Sequence, residues 1–396
     1  MRRLGIPRRT LALTAANSLS AAAQGQFMFV LPWMVLALGY EPREAALATA
    51  FVYVPLLLSA IPAGLTGDNV PPLRVLRIAL AATLAAALLY PLAVLAGLDW
   101  FWLVLVAAVV AGVARNYAEA ALMRGIADTT EGAALLRAHA VRTTVNQAAL
   151  FGSPFLGLLL FRLGGADAVL VGICCLHVAA LLLLVPVPRM GGDYARERDV
   201  AALARALRSV RSNARLRRIC WATVTWNVFA GGALGILPAV LREHLGLDEV
   251  AASAALVTGT LAIVLLTLPV TRSVQRRVGP FAAFLAASSV QGAAVLLFVD
   301  PRLAAAAPLL VAAFLLSNST AAASLNGARA LEVEHAQQAL LSILVMTVGM
   351  VGFVAGLTLV ALLQSVVGFG AVLVLTAAGM AVTAAGFRRP LVAETA

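Results

Sequence analysis

In a largely apolar stretch from about residue 100 to 125, Arg115, Asn116 and Glu119 form the outstanding cluster of side chains able to do chemistry. Arg115 and Glu119 are four residues apart, so a helix sets them on one face as an ion pair. The pair neutralises itself and is tolerable away from water. Once parted, it offers a carboxylate that can bind a proton, or a guanidinium that can bind an anionic group. A static salt bridge is the other reading of the same spacing. No catalytic constellation competes with this cluster. His139, His177, His244 and His335 are dispersed, and Cys174, Cys175 and Cys220 have no metal-ligand or disulfide spacing. Neither an HExxH motif nor a GxxxxGK[ST] loop occurs, so no metal, no cofactor and no ATP-driven step is expected.

The elements that must position these residues are helices in lipid. The chain is 62% hydrophobic and only 12% charged, against roughly 25% charged in an ordinary soluble domain. Apolar runs long enough to cross a hydrocarbon core recur from end to end. Twelve spans are expected, at 11–38, 45–67, 73–96, 100–125, 133–162, 166–186, 218–241, 250–271, 280–299, 303–327, 336–363 and 367–387. Arg2, Arg3, Arg8 and Arg9 precede the first, which reads as an uncleaved span. The long polar connection, 189–218, carries nine Arg. Val200, Leu203, Leu207 and Val210 give it the spacing of an amphipathic surface helix.

All 29 basic residues are Arg and the net charge is +11. A nucleic-acid partner would need them as a stripe on a soluble face, whereas they lie between apolar spans. With the N-terminus in the cytoplasm, nearly all Arg falls on that side. Only Arg43, Arg162, Arg242 and Arg302 fall on the other, and Arg115 lies within a span. The positive-inside rule then places both termini in the cytoplasm.

The two halves echo each other. Leu31 to Leu36 followed by Leu38 and Gly39 matches Leu237 to Leu241 followed by Leu245 and Gly246; Pro62 matches Pro269, and Pro71-Pro72 matches Gly279-Pro280. The offsets of 206 to 208 residues point to one six-span unit present twice. The expected domains are 1–188 and 218–396, two six-helix bundles, joined by a cytoplasmic linker at 189–217.

Six plus six spans around a basic central loop resemble the major facilitator superfamily over essentially the whole chain. The loop from Gly64 to Arg77 is similar to the superfamily's cytoplasmic motif: Gly64 and Asp68 match, while Asn69, Pro71, Pro72 and Leu73 depart from it, and Arg74 and Arg77 are the nearest basic residues. The resemblance implies that Asp68 sits against the N-terminus of span 11, near Ala336 and Gln337, and closes a cytoplasmic gate. The corresponding second-half loop, Arg272 to Pro280, has no acid. Gly152-Ser153-Pro154 with Gly157 is similar to the helix-bend motif of the superfamily's exporters. The resemblance further implies that spans 1, 4, 7 and 10 line the cavity, with Asn17, Gln24, Gln26, Asn116, Trp226, Asn227, Asn318 and Asn326 as its polar lining. Trp221, near a span end, reads as an interfacial anchor.

The fold expected is therefore an all-α integral membrane protein of twelve helices in the superfamily's fold. The function expected is secondary transport, with proton-coupled export of a small amphipathic compound by alternating access in a bacterial inner membrane. The N-terminal half looks like the branch of enterobactin and macrolide exporters. An importer, a lysophospholipid flippase and a non-transporting membrane receptor or scaffold are the alternatives; the protein is expected to be monomeric. Spans 7 to 12 hold no acid in their apolar cores, so coupling, if by protons, falls to Glu119 or Asp68.

Overall fold

A computed structural model describes residues 6–37, 55, 57–96, 100–188, 200–334 and 337–387. Among them there is no strand. Eleven α-helices are α1 Arg8–Ala37, α2 Ala60–Asn69, α3 Pro72–Ala96, α4 Trp100–Ala127, α5 Gly132–Leu184, α6 Val200–Ser212, α7 Ala214–Ala239, α8 Glu249–Val278, α9 Pro280–Leu297, α10 Ala307–Glu332 and α11 Gln338–Gly386. A π-turn at Val240–His244 extends α7, and a 3-10 turn at Pro301–Ala306 leads into α10.

The helices begin and end where the residues dictate. Asn213 separates α6 from α7 and accepts from the N–H groups of Arg215 and Leu216. Its amide donates to Glu332 at 3.2 Å, tying that cap to the end of α10. Asp248 caps α8 through Ala251, satisfying a backbone donor that lipid would leave orphaned. Gly279, at φ 80°, takes the left-handed corner between α8 and α9.

Ten stretches among the described residues are long and apolar enough to cross a membrane. The 53-residue α5 and 49-residue α11 each supply two, broken at Gly164 and Gly165 and at Gly368. The first break falls between the spans expected there, and that at Gly368 lies just inside the start of the last one, expected at 367–387. The span expected at 45–67 lies partly outside the described residues, and α1 is diluted by Asn17, Ser18, Ser20, Gln24 and Gln26. The linker helix is α6, the rest of the linker before Val200 lying outside the described residues. Ala206 on it is buried and Leu207 half-exposed.

Burial is inverted relative to a soluble protein. Asn17, Gln26, Asn116, Glu119, Gln291 and Asn318 are buried, while Leu163, Leu309, Val366 and Val382 are 74%, 72%, 80% and 70% exposed. An apolar exterior with the polar side chains turned inward is the arrangement that a lipid solvent demands.

By their contacts the residues form two compact units. The first comprises Met1–Ala138, Val145–Leu207 and Val333–Leu344; the second comprises His139–Thr144, Arg208–Glu332 and Val345–Ala396. The start of α11 thus belongs with the first unit and a short piece of α5 with the second. In the first, α1 and α4 run antiparallel: Thr10 pairs with Thr129, Asn17 with Glu119, and Gln24 with the Ala111 carbonyl. Phe27, Leu31, Leu105, Val169, Leu170 and Ile173 form a core with alanines between them.

Small residues let helices touch backbone to backbone. In the second unit α7 packs on α11 through Gly231, Gly232, Gly352 and Gly356. A Cβ at Gly231 would lie 2.9 Å from Phe353 Cα, and one at Gly356 would collide with the Val228 carbonyl. Gly25 of α1 meets the side-chain hydroxyl of Ser153 of α5, at an offset of about 206 residues from Gly231. Lipid supplies no hydrophobic drive between helices, so this short-range fit carries their association. Gly356→Val is expected to lower the unfolding temperature in detergent clearly, at a cost of about 1–3 kcal/mol. Gly370→Ala, whose nearest neighbour would be Val299 at 4.0 Å, is expected to change it little.

Candidate functional site

The polar side chains of the first unit gather along the α1 and α4 contact. Glu119, 1% exposed, accepts from the Asn17 amide at 3.3 Å. Asn116, on the same turn of α4, donates to the Ser59 hydroxyl at 2.9 Å. Helical rotation turns Arg115 away from both. It lines a cavity with Ser20, Gln24, Thr83 and His177, walled by alanines, Phe27 and Ile173. Among the described residues no carboxylate lies within salt-bridge distance of Arg115. The spacing of four permits the ion pair with Glu119, but tertiary packing gives each side chain a different neighbour.

Asp68 ends α2, where its carboxylate accepts from the backbone N–H groups of Ala339 and Leu340, both at 2.9 Å. These are the second and third residues of α11, so an acid from a distant part of the chain caps that helix. The contact lies three residues beyond Ala336 and Gln337, of which Ala336 is outside the described residues. Glycine makes the approach possible: a Cβ at Gly64 would sit 2.8 Å from Leu340 Cα, and one at Gly67 would sit 2.8 Å from the Ala120 and Ala339 methyls.

Arg124 closes the same cluster, 3.8 Å from Asp68 and 2.7 Å from Asp128. Burial pushes the Asp68 carboxyl up to about 7, outweighing the opposing pull of the Leu340 and Ala339 N–H groups and of Arg124. The expected basic neighbours lie elsewhere. Arg77 donates to the Leu184 carbonyl at 2.7 Å, capping the end of α5, and Arg74 is exposed. Arg124 was missed because its relation to Asp68 crosses 56 residues. Its spacing of four from Asp128 was the available clue.

The second unit contains a buried hydrogen-bonded chain. Trp226 Nε1 donates to Gln291 at 2.9 Å, and the Gln291 amide donates to Asn318 at 3.0 Å, joining α7, α9 and α10. Trp226 also meets Phe284 edge to face, with ring centres 6.2 Å apart. Gln291 is the member that the sequence reading omitted. Asn227 donates to the Thr223 carbonyl of its own helix and faces Gly349, and Asn326 is half-buried. Gln275, at an offset of 207 from Asp68, donates to Ser324 at 3.2 Å in place of an acid.

The remaining motif residues are packing positions. Gly152 and Gly157 flank Ser153 on α5, with Gly157 buried, and Pro154 lies within the helical backbone. Gln26 is buried with its Oε1 3.6 Å from where a Cβ of Gly172 would be. Trp221 is 61% exposed, as an interfacial side chain would be. Among the described residues no three His, Cys, Asp or Glu gather as a metal site.

Helices long and apolar enough to cross a membrane, with apolar side chains exposed, describe a membrane protein. The sequence model of the Major Facilitator Superfamily matches residues 13–358, and the chain belongs to that family. It is a multi-pass integral membrane protein, and the family consists of transporters rather than enzymes. Solved structures share the fold. A bacterial homologue of the iron transporter ferroportin, in an outward-facing state with soaked iron, is 15% identical with a TM-score of 0.76, covering 96% of this chain and 98% of that one. The human organic anion transporter MFSD10 is 14% identical with a TM-score of 0.77, covering 96% and 100%. The E. coli fucose:proton symporter FucP is 14% identical with a TM-score of 0.72, covering 96% and 98%. No curated protein matches the chain in sequence.

Two measurements follow from this geometry. A water-exposed Asp titrates near about 3.9, whereas docked Asp68 titrates at about 7. The docked state therefore holds its proton more tightly, and docking gains as pH falls below 7 and loses that gain as pH rises through it. Between pH 8 and 6 the protection of the Ala339 and Leu340 amides, corrected for intrinsic exchange, is expected to rise about tenfold. Asp68→Asn is expected to remove that dependence. Gln291→Leu, which strands the Trp226 N–H and the Asn318 carbonyl oxygen, is expected to cost about 1–3 kcal/mol in thermal unfolding.

Proposed function

We propose that this chain is a twelve-helix secondary transporter that exports a small amphipathic compound by alternating access, driven by protons. Its bundles are 1–188 and 218–396, joined by the linker at 189–217. Both termini face the cytoplasm of a bacterial cell, and the chain acts as a monomer in the inner membrane. Family membership carries the transport reading. The similar structures handle iron, organic anions and fucose with protons, so one fold serves unlike cargo and the substrate class must come from this chain's own residues. Those residues are alanine, leucine, valine and neutral amides, which suit an amphipathic molecule better than a sugar.

The observation that carries the coupling assignment is the burial of Glu119 against Asn17. A primary amide can donate to a carboxylate and, rotated, accept from a carboxyl group. The Asn17 and Glu119 contact therefore accommodates both protonation states without moving a helix. Asp68, Gly64 and Gly67 form the cytoplasmic gate in this scheme. The docked cap holds the outward-facing state, and its undocking opens the inward path. Gly152, Ser153, Pro154 and Gly157 support the assignment to the exporter branch through their similarity to its helix-bend motif.

Expression in a strain stripped of efflux pumps, tested over a compound panel, is expected to raise resistance and lower accumulation of amphipathic compounds. Uptake without extrusion would reverse the direction. In proteoliposomes Glu119→Gln is expected to abolish pH-gradient-driven export, and transport at the wild-type rate by this variant would refute the coupling role.

A further inference from the structure

The cavity inside the first unit contains a donor and an acceptor that the export scheme leaves unused. Arg115 reaches it from α4, Gln24 and Ser20 from α1, Thr83 from α3 and His177 from α5. His177 is 4% exposed, and its Nδ1 lies 3.0 Å from the Ile173 carbonyl. A carbonyl only accepts, so Nδ1 carries the hydrogen and the neutral ring presents a lone pair at Nε2. That Nε2 is buried and, among the described residues, has no hydrogen-bond partner. The Gln24 amide nitrogen is engaged by the Ala111 carbonyl at 3.4 Å. Thr83 is bonded back to the Ala79 and Leu80 carbonyls. Arg115 and His177 are the only ionisable groups among the cavity's lining residues.

A guanidinium that only donates and an imidazole nitrogen that accepts define a ligand by chemistry. It must offer an anionic oxygen to the first and a proton to the second. A halide satisfies Arg115 but not a neutral His177, and an ester accepts from Arg115 but has no proton to give to His177. The free space is about 30 Å³, room for one or two water-sized groups. That is enough for a head group and too little for a drug-sized body.

We propose that this cavity binds one carboxyl group together with one proton. One carboxylate oxygen accepts from Arg115, and the proton lies between the other oxygen and His177 Nε2. Charge balances as one monoanion and one proton taken up per site. The carboxyl group belongs either to a free small carboxylate or to the head of an amphiphile. The inference concerns binding alone and stands apart from the direction and coupling of transport.

Calorimetry on the full chain in detergent tests it, with sodium acetate as the probe in two buffers of different ionisation enthalpy at pH 7. Saturable binding with about one proton taken up is expected, and methyl acetate is expected not to bind. Arg115→Gln is expected to weaken acetate about tenfold or more. His177→Phe is expected to abolish proton uptake, which loss of packing alone would not do selectively. Arg302→Gln, at an exposed position, is expected to match the wild type. Octanoate binding at least tenfold more tightly than acetate would assign the site to an amphiphile's head, and equal affinity to a free carboxylate. Non-saturable acetate binding, binding without proton uptake, equal binding of methyl acetate, or chloride competing as well as octanoate would each overturn the proposal. If neither site variant folds, the wild-type proton count and the methyl acetate comparison decide it. None of these readings needs export to occur, so a failed transport assay and a failed binding assay are separate results.

Discussion

Hydrocarbon cannot hydrogen-bond, and most features of this protein follow from that. Each backbone N–H and C=O within the membrane must be paired inside its own helix, which excludes open strands and makes the helix ends the exposed points. Those ends are supplied here by side chains from unexpected places: Asp68 at the start of α11, Arg77 at the end of α5, and Asn213 at the start of α7 with Glu332 behind it. Each such cap also fixes one helix against another. Stability and geometry therefore come from the same few polar contacts.

Side chains obey the same rule. A polar group facing lipid would cost free energy, so Glu119, Asn116, Gln291 and Asn318 are turned inward and bonded to one another's neighbours. The two units use this differently. The first places its ionisable groups, Glu119, Arg115 and His177, in an interior where neutral residues separate them. The second uses a neutral chain, Trp226 to Gln291 to Asn318, and carries Gln275 where the first has Asp68. Close helix contacts occur in both units, with Gly25 against Ser153 in the first and Gly231 against Phe353 in the second.

Several parts of this arrangement are legible from residues alone. Apolar runs of helical length announce membrane helices because composition is an additive property of a segment. The break at Gly165 falls between expected spans and that at Gly368 just inside the start of one, each at a glycine because a residue at positive φ is almost always glycine. The role of Asp68 as a helix cap comes within reach only through a family resemblance, since nothing local to Gly64 and Asp68 indicates Ala339 and Leu340.

What composition, periodicity and spacing determined by themselves was the solvent and the helices, both of which depend on near neighbours along the chain. Tertiary structure decided which polar groups meet. Arg115 and Glu119 are close enough to pair, yet a helix surface turns about 100° per residue and the helices packed around α4 present different partners to adjacent faces. Asn17 takes the carboxylate, and the guanidinium is left to the cavity shared with His177. Pairing in a low-dielectric interior depends on distances of a few ångströms between segments far apart in sequence. Only the folded chain sets those distances.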